Sequence, residues 1–459
     1  MNPLNVLLVT YSFPPFGGTG VMRASSLARY FPTEGIRVDV LTARNAATVG
    51  YDVNLLKQIP AEVTIHRTMT LDLPFSIKKG IKRLIGGEKA PAGQQLRAGQ
   101  STKFNPIKRI LENTLVPDPQ VTWLPVLRRA ACGIIRKRKI DIVLITVPPF
   151  SSVLLAEHLR KSFPELPVVL DFRDEWLTTT FNLVSFLFSR TERARRVSEN
   201  AEARAIASAT AVVAVTEAAR RQIRARYSQE PESKFQLVPN GFDAINIRSR
   251  SYPETEQSSS KILVTYVGTV YASTEPTDLV EALRSLPIEV RDRFTLRFIG
   301  HIEGAYFREL LLSLGAMVEL KGFLPQREAL ALMNETDYVL LINQDPLNVG
   351  SKFYDYVGAR KPVLGVVHPE GESRRLLDEL CAGWWAANHD QSGIRQLFLD
   401  ALNRGKGPFK DFQPDVEKIA RYERKVLAQD YARLLRSIVD GSLVHDGKTR
   451  QGGAVGIEE

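Results

Sequence analysis

Lys352 and Asp355 stand one helical turn apart in the run SKFYDYVGARKPVL. The spacing predicts a helix over Lys352–Gly358 with Ser351 as its N-cap. Lys352 then sits where the positive end of the helix dipole already favours phosphate. Asp355 falls on the same face, spaced to accept a ribose diol while Lys352 meets a diphosphate. Taken singly, such a pair is also the pattern of a surface ion pair.

A second candidate is the turn Pro14-Pro15-Phe16-Gly17-Gly18-Thr19-Gly20, set between a predicted strand and a predicted helix. Gly17 and Gly18 allow close backbone approach, and the helix that follows offers unpaired N–H groups to an anion. Arg23, one turn in, adds a cation. A phosphate or a sugar hydroxyl suits this turn, which is equally the shape of a plain strand–helix connection. Val267-Gly268-Thr269 repeats the arrangement in the second half of the chain.

The third cluster is Asp171-Phe172-Arg173-Asp174-Glu175-Trp176. Three carboxylates and an arginine are costly to bury unless paired. Asp171 and Asp174 are of the type that accepts sugar hydroxyls, and the Trp176 face suits stacking on a pyranose; an internal Arg–Asp pair is the structural alternative. Val238-Pro239-Asn240-Gly241-Phe242-Asp243 is a turn placed to wall a cleft. His66, His158, His301, His368, His389 and His445 show no ligand spacing, and Cys132 and Cys381 stand far apart, so no zinc module or disulfide framework is expected.

Buried strands must position these turns. Leu4–Thr10, Arg37–Thr42, Ile140–Thr146, Pro167–Phe172 and Ala211–Val215 are nearly continuous apolar runs, as strands covered on both faces require. Helical patterns such as Val21–Tyr30 and Ser152–Lys161 alternate with them, which argues for a doubly wound α/β domain over residues 1–243. The polar, Ser-rich stretch 244–260 reads as a linker. The alternation restarts over 261–413, with strands at Ile262–Val267, Thr295–Ile299, Val318–Leu320, Tyr338–Ile342 and Pro362–Val367. Residues 414–440 carry helical spacing without a strand partner and read as one long helix or a broken pair; 441–459 read as a disordered tail.

The chain has 459 residues, 44% hydrophobic and 24% charged, enough for more than one sizeable core. No run of about 18 uncharged apolar residues occurs, and Leu4–Val9 is too short for a signal peptide. A cytoplasmic protein is expected. The net charge of +10 is uneven: residues 1–245 hold 34 Lys and Arg against 21 Asp and Glu, the remainder 27 against 30. Phe75–Gly86 sets Ile77, Ile81, Leu84 and Ile85 opposite Lys78, Lys79, Lys82 and Arg83, a basic amphipathic pattern suited to an anionic membrane surface. Residues 75–116 are therefore the expected membrane-facing region, peripheral on the inner face of the cytoplasmic membrane. Nucleic acid is the weakest partner, because the basic residues are not interleaved with aromatics as stacking platforms require.

The ordered set YSFPPFGGTGVMR, PDPQVTW, VPPFSS, LDFRDEW, VPNGFD, YVGT and SKFYDYVGARKPVL resembles bacterial family-four glycosyltransferases, more narrowly a cell-surface polysaccharide subgroup with a DFRD-x-W signature. The resemblance covers roughly residues 4–440. It implies a GT-B fold: two facing Rossmann-like domains, the first for acceptor and the second for nucleotide-sugar, with the C-terminal helix crossing back. It also implies retaining transfer to a glycan or lipid-linked acceptor, with no cofactor and no obligatory metal. Gly17, Gly18, Gly268, Thr269, Ser351, Lys352 and Asp355 would bind donor; Arg23, Asp171 and Trp176 acceptor; Arg173, Asp174 and Lys352 would serve catalysis. Two positions depart from the family pattern. Leu347 replaces the first acid of the E-x7-E motif, with Asp345 and Asn348 nearby, and Arg173 stands where many relatives carry histidine. A GT-B-fold epimerase and a non-catalytic scaffold are the competing readings.

Overall fold

The structure, a computed structural model, describes residues 3–46, 50–70, 115–178, 192–247, 260–407 and 409–442. Seven strands build the first sheet: β1 (Leu4–Val9), β2 (Ile36–Ala43), β3 (Thr64–Thr68), β4 (Ile142–Val147), β5 (Val168–Phe172), β6 (Ala211–Ala214) and β7 (Phe235–Leu237). They lie in the order β3-β2-β1-β4-β5-β6-β7. The second sheet holds β8 (Ile262–Val267), β9 (Phe294–Ile299), β10 (Val318–Gly322), β11 (Tyr338–Asn343), β12 (Val363–Val367) and β13 (Gly383–Ala387), ordered β10-β9-β8-β11-β12-β13. All pairings are parallel. Each sheet winds one way from its first strand and then resumes on that strand's other side. That doubly wound topology puts ligand crevices at the carboxyl ends of the strands.

Central strands β4, β11 and β12 are buried at every position, which is why they read as unbroken apolar runs. The sequence pattern misses β3, β7 and β13, and all three are sheet edges. β3 is half-buried throughout and spells Thr-Ile-His-Arg-Thr. β7 is three residues long. A strand with one open edge needs no continuous apolar face, so periodicity misses these three, whereas the fourth edge, β10, is found as Val318–Leu320.

The expected linker is shorter than residues 244–260. Ala244–Ile247 is a helical turn, and Ala244 and Ile247 are buried with Phe242 in the second domain's core. Residues 248–259 lie outside the described residues, as do 71–114, which hold most of the basic stretch 75–116, and the tail from 443.

The C-terminal segment is a broken pair, Val416–Ala420 and Arg424–Val439. Ile419 joins the second domain's core, whereas Leu427, Ala428, Tyr431, Leu435 and Ile438 join the first domain's core. The chain therefore crosses back, packing against helix Thr19–Tyr30. At the break, Phe242 N–H donates to the Tyr422 carbonyl at 3.0 Å and Arg424 N–H donates to the Phe242 carbonyl at 2.9 Å. Gly241 permits this approach, because a Cβ there would overlap the Tyr422 carbonyl oxygen and crowd Leu427.

Gly241→Ala should therefore cost about 1–3 kcal/mol by overpacking the crossover, read as an earlier urea midpoint; an unchanged midpoint would show the two segments are not locked here.

Candidate active site in the interdomain cleft

Three hydrogen bonds hold the carboxyl ends of the two sheets face to face. Thr216, after β6, donates its hydroxyl to the Leu347 carbonyl at 2.6 Å. Ala218 N–H donates to the Glu372 carboxylate at 3.0 Å. Glu175 N–H donates to Asn348 Oδ1 at 3.4 Å. Glu372 thus caps the first turn of helix Glu217–Arg226 from the opposite domain, a favourable place for a carboxylate.

Arg23 and Asp171 form a buried structural pair, which corrects their assignment to acceptor binding. The guanidinium grips the carboxylate through Nε at 2.8 Å and Nη2 at 2.8 Å, with side-chain exposures of 8% and 0%. Two more of its N–H groups donate to the Val238 and Pro239 carbonyls, both at 2.9 Å. Tyr431 of the crossover helix lies over it, 5.6 Å from Cζ to ring centroid. Burial by itself lowers the Arg23 pKa, but the Asp171 charge and hydrogen bond outweigh it and the pKa is raised. Four of its five N–H groups are thus spent inside the fold.

Trp176 is likewise removed from the acceptor list. Its ring is buried and stacks on Phe150 at 4.8 Å and 4°, so that face is closed to a pyranose. Glu175, wholly buried, pairs with Arg226, and Arg226 also holds Glu202 at 2.8 Å. Burial raises Glu202 to a pKa of about 7 against the opposing pull of Arg226. Asp118 of the PDPQVTW segment is also internal, accepting from Ser151 N–H at 2.9 Å and so bracing the VPPFSS turn. These partners come from distant segments, and nothing in the local sequence announces Arg226 or Glu202.

Arg173 is a brace as well. Its guanidinium donates to the carbonyls of Val147, Pro148 and Gly20, tying β4 and β5 to the glycine turn of helix Thr19–Tyr30. Burial lowers its pKa, with Asp174 and Asp171 opposing. Of the whole cluster, Asp174 alone keeps a carboxylate with no hydrogen-bond partner among the described residues. Burial raises its pKa, Arg173 opposes, and Asp345 across the cleft raises it further. Tyr271 of the second domain feels the same two carboxylates.

The glycine turns stand as expected. Gly17 N–H donates to the Gly50 carbonyl at 2.9 Å. Gly18 has φ 96°, which only glycine takes readily, and open space where a Cβ would be. It precedes helix Thr19–Tyr30 without any side-chain cap. In the second domain, Gly268 has φ 138°, and a Cβ there would press on Lys352 Cδ at 3.2 Å. Thr269 is exposed beside it.

Helix Ser351–Gly358 begins one residue earlier than the sequence pattern predicts. Gly350 is its N-cap, with no side-chain cap bond, and Ser351 is the first helical residue. Lys352 folds back across Gly268, hydrogen-bonds the Tyr266 hydroxyl and lies 3.8 Å from that ring's centroid. No carboxylate pairs with it among the described residues, and burial lowers its pKa to about 7. Tyr266, which donates onward to the Thr269 carbonyl at 2.8 Å, is the functional neighbour that sequence reasoning passed over, although it lies inside the YVGT motif.

Asp355 stands apart from Lys352. Burial raises its pKa to about 6, and its charged neighbours are Arg424 and Asp243 at the crossover. Its carboxylate also has no hydrogen-bond partner among the described residues. Asp345 does not act as an open substitute for the missing acid at Leu347. It accepts from Leu347 N–H at 2.8 Å, Asn348 N–H at 3.2 Å and the Asn348 amide at 2.9 Å, holding its own loop. No group of three or more His, Cys, Asp or Glu placed to hold a metal occurs among the described residues.

Removing one partner of the Arg23–Asp171 pair leaves an unpaired buried charge, so Arg23→Met should cost about 3–5 kcal/mol of stability. Denaturant unfolding measures it, and a loss under about 1 kcal/mol would place the pair among solvated ones.

Residues 17–241 match a family model described as a glycosyl transferase 4-like domain. No curated protein matches the chain by sequence. Among solved structures, the Anabaena protein HepE in complex with UDP is similar at a TM-score of 0.62 and 13% identity, over 95% of this chain and 100% of that one. Sucrose-phosphate synthase from Thermosynechococcus elongatus is similar at 0.65 and 14%, over 96% and 100%. WaaG, a glycosyltransferase involved in lipopolysaccharide biosynthesis, follows at 0.54 and 16%, over 95% and 98%. No described helix is long and apolar enough to cross a membrane. Residues 17–241 are thus similar to a glycosyl transferase 4-like domain, and the chain as a whole has the two-domain GT-B fold.

Proposed function

We propose that the protein is a retaining glycosyltransferase that moves a hexosyl group from a nucleotide-sugar to a glycan or lipid-linked acceptor in cell-surface polysaccharide synthesis. The observation that carries this reading is Lys352: a half-buried ammonium without a carboxylate among the described residues, at the first turn of a helix and against a glycine turn. Such a group is poorly solvated while the site is empty and gains most from a ligand that brings negative charge. A diphosphate supplies that charge, and the helix N-terminus adds backbone N–H groups. The structure of HepE with UDP-glucose supports a nucleotide-sugar as that ligand.

The chemistry follows from the same placement. As the glycosidic bond to the leaving diphosphate breaks, negative charge grows on the phosphate oxygen beside Lys352. A preorganised cation stabilises that charge more in the transition state than in the ground state. Asp355, whose carboxylate is open, takes the ribose diol. Asp174 accepts a hydrogen bond from the acceptor hydroxyl, and the departing phosphate oxygen takes the proton on the same face, giving retention. Arg173 positions the Gly17-Gly18 turn through its carbonyl contacts and does not itself meet the substrate. No metal is required in this scheme because Lys352 and the helix end meet the charge. The lipopolysaccharide role of WaaG supports, for this chain, an envelope glycan as acceptor and a site of action on the inner face of the cytoplasmic membrane.

Calorimetric titration with UDP, GDP, TDP, ADP and CMP tests the reading. One nucleotide should saturate, and Lys352→Ala should weaken it roughly 10- to 100-fold, the worth of a charged hydrogen bond. Free Lys352 is mostly neutral at pH 8 and mostly protonated at pH 6, given its pKa of about 7. Binding at pH 8 should therefore take up close to one proton, and at pH 6 almost none. The uptake should vanish in Lys352→Ala. No nucleotide binding at millimolar concentration would favour the non-catalytic scaffold instead.

A further inference from the structure

A chamber of about 510 Å³ opens between the domains on the β11–β13 side of the cleft. That volume lies within the roughly 300–1,000 Å³ of small-ligand sites. Thr178 and Gln222 line it from the first domain, and the loops following β11, β12 and β13 line it from the second. Lys352 is not among its lining residues; its side chain lies against Gly268, just past the end of β8.

The lining has a distinctive chemistry. It carries no Lys or Arg and no Phe, Tyr or Trp, so neither a phosphate nor a stacked nucleobase is suited to it. Its polar groups are mostly uncharged hydrogen-bonding side chains, and Pro346, Leu347 and Pro369 supply apolar surface between them. Asn388 is only 8% exposed, yet its carboxamide has no hydrogen-bond partner among the described residues. Its oxygen and N–H groups are therefore available to a ligand's hydroxyls.

Two histidines add to this. Glu370 N–H donates to His368 Nδ1 at 3.2 Å. Asp278 holds His389 Nδ1 at 2.9 Å. In both rings the Nδ1 side is taken and Nε2 has no protein partner among the described residues. His389 keeps φ 66°, an uncommon backbone for a residue with a side chain, so its ring is held at the chamber at some conformational expense.

We propose that this chamber binds an uncharged pyranosyl unit through the Asn388 carboxamide, Gln222 and the two Nε2 atoms. The nature of that sugar rests on the glycosyl-transfer reading: it is either the hexose of the donor or a residue of the acceptor glycan. Because Gln222 and Asn388 come from different domains, neither domain alone completes the site.

The experiment compares wild type with Asn388→Ala and, as an independent variant from the opposite wall, Gln222→Ala. Probes are methyl hexopyranosides by saturation-transfer NMR, and matched pairs of nucleoside diphosphate and nucleotide-hexose by calorimetry. The variants should weaken saccharide recognition about fivefold, the worth of one neutral hydrogen bond, while the nucleoside diphosphate alone binds unchanged. A methyl glycoside that binds and is weakened assigns the chamber to the acceptor. A nucleotide-hexose that outbinds its own diphosphate only in wild type assigns it to the donor's sugar. Saccharide recognition that both variants leave intact, or that wild type lacks in both arms, overturns the proposal. Glycoside binding without any nucleotide binding would refute the transfer reading and leave the chamber assigned.

Discussion

Burying the Arg23 guanidinium would strip it of hydration worth several kcal/mol if nothing replaced the water. Asp171 replaces it with two hydrogen bonds to Nε and Nη2, and the Val238 and Pro239 carbonyls accept two more. Four separate pieces of chain meet at this pair: helix Thr19–Tyr30, strand β5, the turn before the second domain, and the crossover helix through Tyr431. The glycine turn ahead of Arg23, the loop after Asp171 and the return of the C-terminus are therefore set by one interaction.

The loop after β5 shows how such anchoring leaves one carboxylate without a hydrogen bond among the described residues. Arg173 is spent on three carbonyls, Glu175 on Arg226, and Trp176 on Phe150. Asp174 between them has its backbone fixed on both sides and its carboxylate open. In the second domain the balance is reversed. Lys352 is held by a tyrosine ring and a glycine surface, neither of which compensates its charge. An acid with a raised pKa and a lysine with a lowered one thus stand on opposite walls of one cleft, the separation expected where groups are tuned for function rather than for stability.

Much of this was legible in the residue pattern. Central strands must be apolar on both faces, so β1, β4, β8, β11 and β12 declare themselves within a residue or two, and the strand-end glycines follow from doubly wound topology. Edge strands β3, β7 and β13 carry no such obligation and stayed hidden. In the LDFRDEW run the sequence shows that the charges need partners but not which partners. Asp171 finds Arg23 at a separation of 148 residues, and Glu175 finds Arg226 on another helix. Those pairings are tertiary facts, so Arg23, Asp171 and Trp176 read as ligand groups until the fold closed over them. Similarly, the spacing of Lys352 and Asp355 is that of one helix face, but their surroundings differ because the crossover helix brings Arg424 and Asp243 to Asp355 alone.

The most direct measurement is a crystal structure of the full chain soaked with whichever nucleoside diphosphate binds. The account predicts the diphosphate between Gly268-Thr269 and the first turn of helix Ser351–Gly358, with the Lys352 ammonium swung from the Tyr266 hydroxyl onto a phosphate oxygen. A diphosphate bound elsewhere in the cleft, with Lys352 still lying on Tyr266, would contradict it.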